Sequence, residues 1–146
     1  MRRVLFVPLI TVMLALTGLS ASMTQAAAAK VVAKVNLSSQ RMHVYVDGKK
    51  RYSWAVSTGK RGWETPAGAY RPIRTYKSYY EKKWNMSLPY LVLISHDGIG
   101  IHATSATGRL GRTASHGCIR LHPSNAKKFF GLVTSNRHST SVQVVR

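Results

Sequence analysis

The sequence predicts a mainly β domain with one short helix near its C-terminus, preceded by a secretory signal peptide. Beyond residue 30, apolar and polar residues alternate in several short runs, which is the pattern of half-buried strands. Only the segment that begins at Pro123 has apolar residues at helical spacing. With 146 residues, the chain has room for one domain after the leader.

The first 28 residues have the order of regions that is typical of a signal peptide. Arg2 and Arg3 precede an apolar run over residues 4–16, and small residues follow up to the alanines at 26–29. Cleavage after Ala26 or Ala28 fits this pattern, and we take residues 29–146 as the mature domain. The apolar run is shorter than the roughly 20 residues that span a bilayer, so an uncleaved anchor is the weaker alternative. We expect an exported protein of the periplasm or cell wall.

The strand candidates follow in chain order. Alternation predicts strands over residues 31–37, 42–46, 52–56, 68–76, 90–95, 99–102 and 141–145. The pair Asp47-Gly48 separates the second and third runs and favours a two-residue hairpin turn.

One helix is predicted near the C-terminus. Pro123 suits its first turn, and apolar residues then recur at helical spacing, at Ala126, Phe129, Phe130 and Val133. Gly131 is expected to end or loosen this helix.

The formal charge of +18, with only four acidic residues, predicts attraction to polyanions. An exported domain meets carboxylate-bearing peptidoglycan and anionic envelope polymers, so we expect no nucleic acid partner. A base-stacking set is the weaker interpretation of four aromatic residues, which we assign to the core or to a substrate groove: Trp63, Tyr79, Tyr80 and Trp84.

The single cysteine, Cys118, lies in a Gly-, Ser- and Thr-rich segment over residues 101–121. A thiolate nucleophile needs a base or a positive field, and His102, His116 and Arg120 lie nearby in sequence. The amides of Gly117 and Cys118 could form an oxyanion hole. A buried, inert cysteine is the main alternative. A zinc site on the cysteine and two histidines is the weaker one, because no acidic or second cysteine ligand accompanies them.

The string SHGCIRL at residues 115–121 resembles the signature of L,D-transpeptidases of the YkuD type. His102 lies at the distance of that family's upstream histidine. The segments VSTG at 56–59 and TPAGAY at 65–70 resemble a second family block, and residues 30–50 resemble its first hairpin. The resemblance covers about residues 30–130. Ala103 stands where the family usually has glycine, and HPSN at 122–125 lacks a common acidic residue, which leaves loop geometry and acceptor preference open.

The resemblance implies a mixed β-sandwich and a cysteine acyl transferase. Cys118 would attack a carbonyl of a peptidoglycan stem peptide, with His102 as general base and acid. His116 would complete the catalytic set, Ser115 and Gly117 would shape the pocket and oxyanion hole, and Arg120 would bind substrate. No metal or cofactor is implied. The acceptor would be a second stem peptide, an envelope protein or water, and carbapenems would inhibit. A non-catalytic wall-binding module is the alternative.

Overall fold

The computed structural model describes residues 28–146, so the predicted signal peptide, apart from Ala28, lies outside the described residues. The described part contains eleven strands, one α-helix and two short 3₁₀ helices. The strands are β1 Val31–Asn36, β2 Arg41–Val46, β3 Lys49–Ala55, β4 Gly68–Tyr70, β5 Arg74–Tyr76, β6 Tyr80–Glu81, β7 Met86–Ser87, β8 Leu91–Leu93, β9 Gly100–Ala103, β10 Ile119–Leu121 and β11 Thr140–Val145. The helix α1 is Pro123–Ser135, and the 3₁₀ helices are Thr107–Arg109 and Arg137–Ser139.

The strands form two main sheets and a separate hairpin. The larger sheet has the order β3-β2-β1-β11-β4, and the smaller sheet has the order β10-β9-β8-β5. Each contains one parallel pair, β1 with β11 and β9 with β10, among antiparallel neighbours. Strands β6 and β7 pair only with each other. The predicted mainly β class with mixed sheets and one helix is therefore confirmed.

The turn between β2 and β3 has the predicted form. Asp47 has φ +50° and Gly48 has φ +77°, so both central residues lie in the left-handed region. Two consecutive positive φ angles characterise the type I′ turn, whose twist matches that of the flanking strands. Asp47 also accepts a hydrogen bond at 2.9 Å from the amide of Lys30, which ties the turn to the start of β1.

The predicted strand over residues 68–76 is wrong as a single element. It is divided into β4, which pairs with β11 in the larger sheet, and β5, which pairs with β8 in the smaller one. Pro72 lies between them, where its fixed φ and missing N–H interrupt a strand ladder. The chain therefore passes from one sheet to the other at this proline.

Helix α1 begins at Pro123 as predicted but does not end at Gly131. It continues to Ser135, and the side chain of Asn136 donates a hydrogen bond at 2.9 Å to the carbonyl of Leu132. The same Asn136 accepts a bond at 2.7 Å from the amide of Ala29. The local bond to Leu132 and the long-range bond from Ala29 stabilise the helix end beyond a glycine whose intrinsic penalty is only about 1 kcal/mol.

One continuous hydrophobic core joins both sheets and the helix. Its buried side chains come from β1, β2 and β11 in one sheet, from β8, β9 and β10 in the other, and from Ala126, Phe129 and Val133 of α1. The helix packs on β8 and β9 of the smaller sheet. It therefore supports the strand β9, which carries His102. Within residues 28–146, no helix is both long enough and apolar enough to cross a membrane.

Candidate active site

The parallel pair of β9 and β10 places the predicted site residues side by side. In the register of this pair, Arg120 lies opposite His102. Side chains at paired positions point to the same face of a sheet, and positions two apart on an extended chain do so as well. Cys118, two residues before Arg120, is therefore directed to the face that carries His102. All three line one cavity.

The loop before β10 is shaped by Ser115. Its hydroxyl donates to the carbonyl of Cys118 at 2.5 Å and accepts from the amide of Gly117 at 3.1 Å. Gly117 has φ +113°, a backbone conformation that side-chain-bearing residues rarely adopt. The amide of Gly117 is thus engaged within the loop, and the amide of Cys118 is the better placed of the two to meet a substrate oxygen.

The segments 56–59 and 65–70 contact this loop through hydrogen bonds of Thr65 and Gly59. The hydroxyl of Thr65 donates to the carbonyl of Gly117 at 2.7 Å and accepts from the amide of Gly59 at 2.9 Å. Gly59 and Ser115 also form a parallel bridge. The segments 56–59 and 65–70 therefore meet the signature loop in space, and Thr65 is a positioning residue that sequence reasoning did not single out.

Gly59→Ala should destabilise the protein strongly. A Cβ at this position would lie 1.8 Å from the carbonyl oxygen of Trp63 and 2.7 Å from the amide of Thr65, both backbone atoms. Because backbone cannot rotate away, we expect a loss of about 3 kcal/mol or more in the free energy of unfolding, measured by urea denaturation. Gly108→Ala is the matched control, since nothing lies within 4 Å of its Cβ position. Equal stability of the two variants would contradict this packing.

The environment of His102 suits a neutral base. The side chain is 2% exposed, and its Nδ1 lies 2.7 Å from the carbonyl oxygen of Ala103. A carbonyl oxygen only accepts, so Nδ1 carries the proton and Nε2 holds the free lone pair. The pKa of His102 is lowered to about 4, mainly by burial and to a smaller extent by the charge of Arg120, while the bond to Ala103 acts in the opposite direction. At neutral pH the imidazole is therefore uncharged.

The thiol of Cys118 is protonated at rest. Its sulfur lies 3.6 Å from the carbonyl oxygen of Gly98, to which the S–H donates. Burial raises the pKa of Cys118, and the charge of Glu81 raises it too, while the amide of Gly100 and the charge of Arg120 lower it. A neutral thiol beside a neutral imidazole differs from a preformed thiolate–imidazolium pair. Such a thiol needs a base at the moment of attack.

His116 belongs to an aromatic cluster at the mouth of the cavity. Trp84, in the turn between β6 and β7, stacks on the His116 ring with centroids 4.2 Å apart and planes at 7°. Trp63 meets both rings edge-on, at 5.2 Å from His116 and 5.3 Å from Trp84. Burial lowers the pKa of His116, followed by the charges of Lys60 and Arg120. The β6–β7 hairpin, too short to predict, is thereby held against the loop that carries His116, and its residues line the same cavity as Cys118.

The cavity has a volume of about 220 Å³ and unites all the predicted site residues except Gly117. Gly117 is not part of this lining, but its carbonyl and amide hold the loop that carries Cys118 through bonds to Thr65 and Ser115. Sequence reasoning missed two acidic residues of the lining, Glu81 and Asp97, which come from the β6–β7 hairpin and from the turn before β9. Isolated acidic residues in loops give no periodic signal, so only the fold brings them to the site. In the described part of the chain, no three His, Cys, Asp or Glu side chains are grouped as a metal site.

Comparisons with known proteins agree with this geometry. The family model of the YkuD domain, described as an L,D-transpeptidase catalytic domain, matches residues 30–144. A comparison with curated proteins finds no match.

Solved structures of L,D-transpeptidases share the fold. The chain is 29% identical to that of Stackebrandtia nassauensis, with a TM-score of 0.70 over 87% of this chain and 60% of that chain. It is 20% identical to L,D-transpeptidase 3 of Mycobacterium tuberculosis in complex with a faropenem-derived adduct, with a TM-score of 0.71 over 81% and 61%. It is 20% identical to LdtMt1 in complex with imipenem, with a TM-score of 0.73 over 80% and 59%.

The chain thus spans 59–61% of the length of these three structures. Since the family match extends over most of the 146 residues, the chain belongs to the YkuD family of L,D-transpeptidase catalytic domains.

Proposed function

We propose that the protein is an exported cysteine L,D-transpeptidase that acts on peptidoglycan stem peptides in the periplasm or cell wall. The observation that carries this proposal is the pairing of β9 with β10, which directs Cys118 and His102 to the same cavity. The family match and the signal-peptide pattern of the first 28 residues support it. The high positive charge suits a wall rich in carboxylates.

In the proposed acylation step, Nε2 of His102 accepts the thiol proton as the sulfur of Cys118 attacks the L-centre carbonyl of a tetrapeptide stem. The Ala103 carbonyl fixes the ring tautomer through Nδ1. The amide of Cys118 stabilises the developing oxyanion. His102 then returns its proton to the amine of the terminal D-residue, which leaves, and a thioester remains on Cys118.

In the second step, an acceptor amine attacks the thioester and His102 takes a proton from that amine. The sulfur of Cys118 leaves and receives this proton from His102, which restores the neutral thiol and the neutral imidazole. A stem-peptide amine gives a crosslink, and an envelope-protein amine gives a tethered protein. Water in the same place gives a carboxypeptidase. All three outcomes use the same base and nucleophile, and neither step requires a metal or organic cofactor.

Muropeptide analysis tests the proposal directly. Purified protein is incubated with tetrapeptide muropeptides, and the products are separated and weighed by mass spectrometry. Crosslinked dimers support transpeptidation, and release of the D-residue without dimers supports the carboxypeptidase alternative. Neither product, together with tight binding to sacculi, would indicate the non-catalytic module.

Imipenem should acylate Cys118. The related LdtMt1 is described in complex with this carbapenem, and a strained β-lactam suits attack by a thiolate. Intact-mass spectrometry should detect one adduct on the wild type. Because burial lowers the pKa of His102 to about 4 and raises that of Cys118, the neutral imidazole and the neutral thiol both predominate from pH 6 to pH 8, so attack assisted by His102 should have a nearly constant rate in this range and accelerate only as the pH approaches the thiol pKa. A rate that rises about tenfold per pH unit from pH 6 onward would indicate attack by free thiolate without help from His102.

A further inference from the structure

The outer face of the larger sheet is basic and lies apart from the catalytic cavity. Alternate side chains of β1, β2 and β11 are buried in the core, so the residues between them point outward. The outward positions of β1, β2 and β3 include three exposed cations, Lys34, Arg41 and Lys50, and the half-buried His43. None of these four residues, which we call the basic face, lines the catalytic cavity. Among the described residues, no acidic side chain occupies an outward position on these three strands.

The strand register sets the distances between these cations. Lys34 of β1 pairs with His43 of β2. Two residues further along β2, Tyr45 pairs with Lys50 of β3. Neighbouring strands lie about 4.8 Å apart and a two-residue step covers about 6.8 Å, so the Cα of Arg41 lies roughly 8 Å from that of Lys34 and roughly 14 Å from that of Lys50. The cations are therefore spread across an open surface and do not enclose a pocket.

Arg41 is held in place on this surface by Ser53. Its Nε donates to the hydroxyl of Ser53 at 3.2 Å, and its Nη2 donates to the same hydroxyl at 3.0 Å and to the Ser53 carbonyl at 3.2 Å. A side chain that is already ordered loses less conformational entropy when it meets a ligand. Its Nη1 makes no hydrogen bond within the described residues, so the two N–H groups of that nitrogen can meet an anion.

His43 lies among these charges. Burial lowers the pKa of His43, and the charges of Lys50, Arg41 and Lys34 lower it further, in that order. No carboxylate of the described residues acts in the opposite direction, and Nδ1 is buried without a hydrogen-bond partner there. The ring is therefore uncharged at neutral pH, because nothing on the basic face favours its protonated form. An anion that neutralises the three cations would raise the pKa of His43.

A linear polyanion suits this surface better than a lipid bilayer does. The large hydrophobic residues exposed within the described part are Trp63, Tyr80 and Trp84, and none of them lies in the larger sheet. The basic face therefore has no large apolar side chain that could insert into a membrane. Asp47, the acidic residue nearest to it in sequence, lies in the β2–β3 turn and accepts from the amide of Lys30.

The spacing of the cations matches a polymer that carries one phosphodiester per three-carbon polyol. Six covalent bonds separate consecutive phosphorus atoms in such a chain, a span of about 7 Å. Cα separations of roughly 8 and 14 Å correspond to about one and two repeats, and the flexible lysine side chains can adjust to the difference. A polymer of this kind can therefore place successive phosphates on successive cations of the basic face.

We propose that the basic face binds a linear polyol-phosphate polymer of the cell envelope and so attaches the domain to that polymer with its catalytic cavity open. The cavity stays accessible because none of the four residues of the basic face lines it. The inference goes beyond the proposed function. It needs export, which brings the protein to such a polymer, but it does not depend on acyl transfer.

The first test measures the affinity of the mature chain for a fluorescent glycerol-phosphate oligomer by anisotropy over a range of salt concentrations. Lys34→Gln/Lys50→Gln should weaken binding about tenfold at low salt and reduce the slope of log affinity against log salt by about 1.5, because two phosphate contacts are lost. The matched control Lys77→Gln/Lys127→Gln removes two exposed lysines elsewhere and has the same net charge. It should weaken binding by about twofold or less.

Histidine resonances in NMR spectra locate the bound polymer. The oligomer should raise the pKa of His43 and leave the resonances of His138, on the 3₁₀ helix Arg137–Ser139, in place. Because a ring that is neutral in the free protein gains a proton in the complex, binding should be tighter at pH 6 than at pH 8. His43→Gln should remove most of this pH dependence while the protein still binds the oligomer at pH 8.

Four results would overturn the proposal. They are equal weakening by the control pair, an unmoved His43, polyglutamate of equal charge that binds as tightly as the oligomer, and vesicles of phosphatidylglycerol that bind through Lys34 and Lys50 while the oligomer does not. Failure of the proposed function is distinguishable, because it appears as absence of acyl transfer and of the imipenem adduct in the wild type. The variant Lys34→Gln/Lys50→Gln should form that adduct at the wild-type rate, since neither lysine lines the catalytic cavity.

Discussion

Cys118→Ala should abolish acyl transfer while the fold remains intact. Cys118 is the only thiol of the chain, and no hydroxyl replaces it as a nucleophile when the side chain is truncated to a methyl group. The loop keeps its shape, because Ser115 bonds to the backbone carbonyl of Cys118 and to the amide of Gly117, not to the sulfur. We expect no crosslinked product above background in muropeptide analysis.

The control for this variant is structural. Circular dichroism and the thermal midpoint should match the wild type within a few degrees, and sacculus binding should be retained. Imipenem should leave the mass of the variant unchanged. Transpeptidation by a verified Cys118→Ala protein would show that Cys118 is not the nucleophile.

His102→Gln should slow acylation by a factor on the order of 10²–10⁴, the usual contribution of a general base. Glutamine preserves much of the volume of this buried side chain but cannot accept the thiol proton at Nε2. His102→Ala should lose as much activity and some stability as well, because it truncates a side chain that is only 2% exposed and leaves a cavity. Single-turnover formation of the imipenem adduct measures the chemical step.

Two other histidines provide the comparison. His138→Ala changes an exposed residue of a 3₁₀ helix and should leave the rate unchanged. His116→Ala removes the ring that stacks on Trp84 and should reduce the rate less than the His102 variants do. A larger loss at His116 than at His102 would contradict the assignment of His102 as the base.

The fold was predictable where local pattern and burial coincide. Alternation located β1, β2, β3 and β11, and the positive φ angles of Asp47 and Gly48 confirm the turn that the residue pair predicted. Short elements carry too few residues for a period. Strand β10, of three residues, and the hairpin of β6 and β7 were therefore not predicted, and neither parallel pairing could be inferred from local sequence.

The site was predictable as a set of residues but not as a geometry. The signature string identified Cys118, His116 and Arg120, and the predicted end of a strand identified His102. Two features depend on contacts between segments that are distant in sequence. Thr65 donates a hydrogen bond to the carbonyl of Gly117, and Trp84 stacks on His116. The roles of the site residues stay predictions, and the variants above test those of Cys118, His102 and His116.

The central position of β11 in the larger sheet has a consequence for how the chain folds. Strand β11 fills the gap between β1 and β4, and the contact of Ser139 with Ala29 beside this pair joins residues 110 positions apart. Pairing across such a separation costs loop-closure entropy before it yields stability, which is the condition for slow folding. Until β11 docks, β1 and β4 each present an unpaired edge that can recruit another chain. Substitutions that weaken the pairing of β11 should therefore increase aggregation during refolding. The molecules that do fold should keep the same acyl-transfer activity.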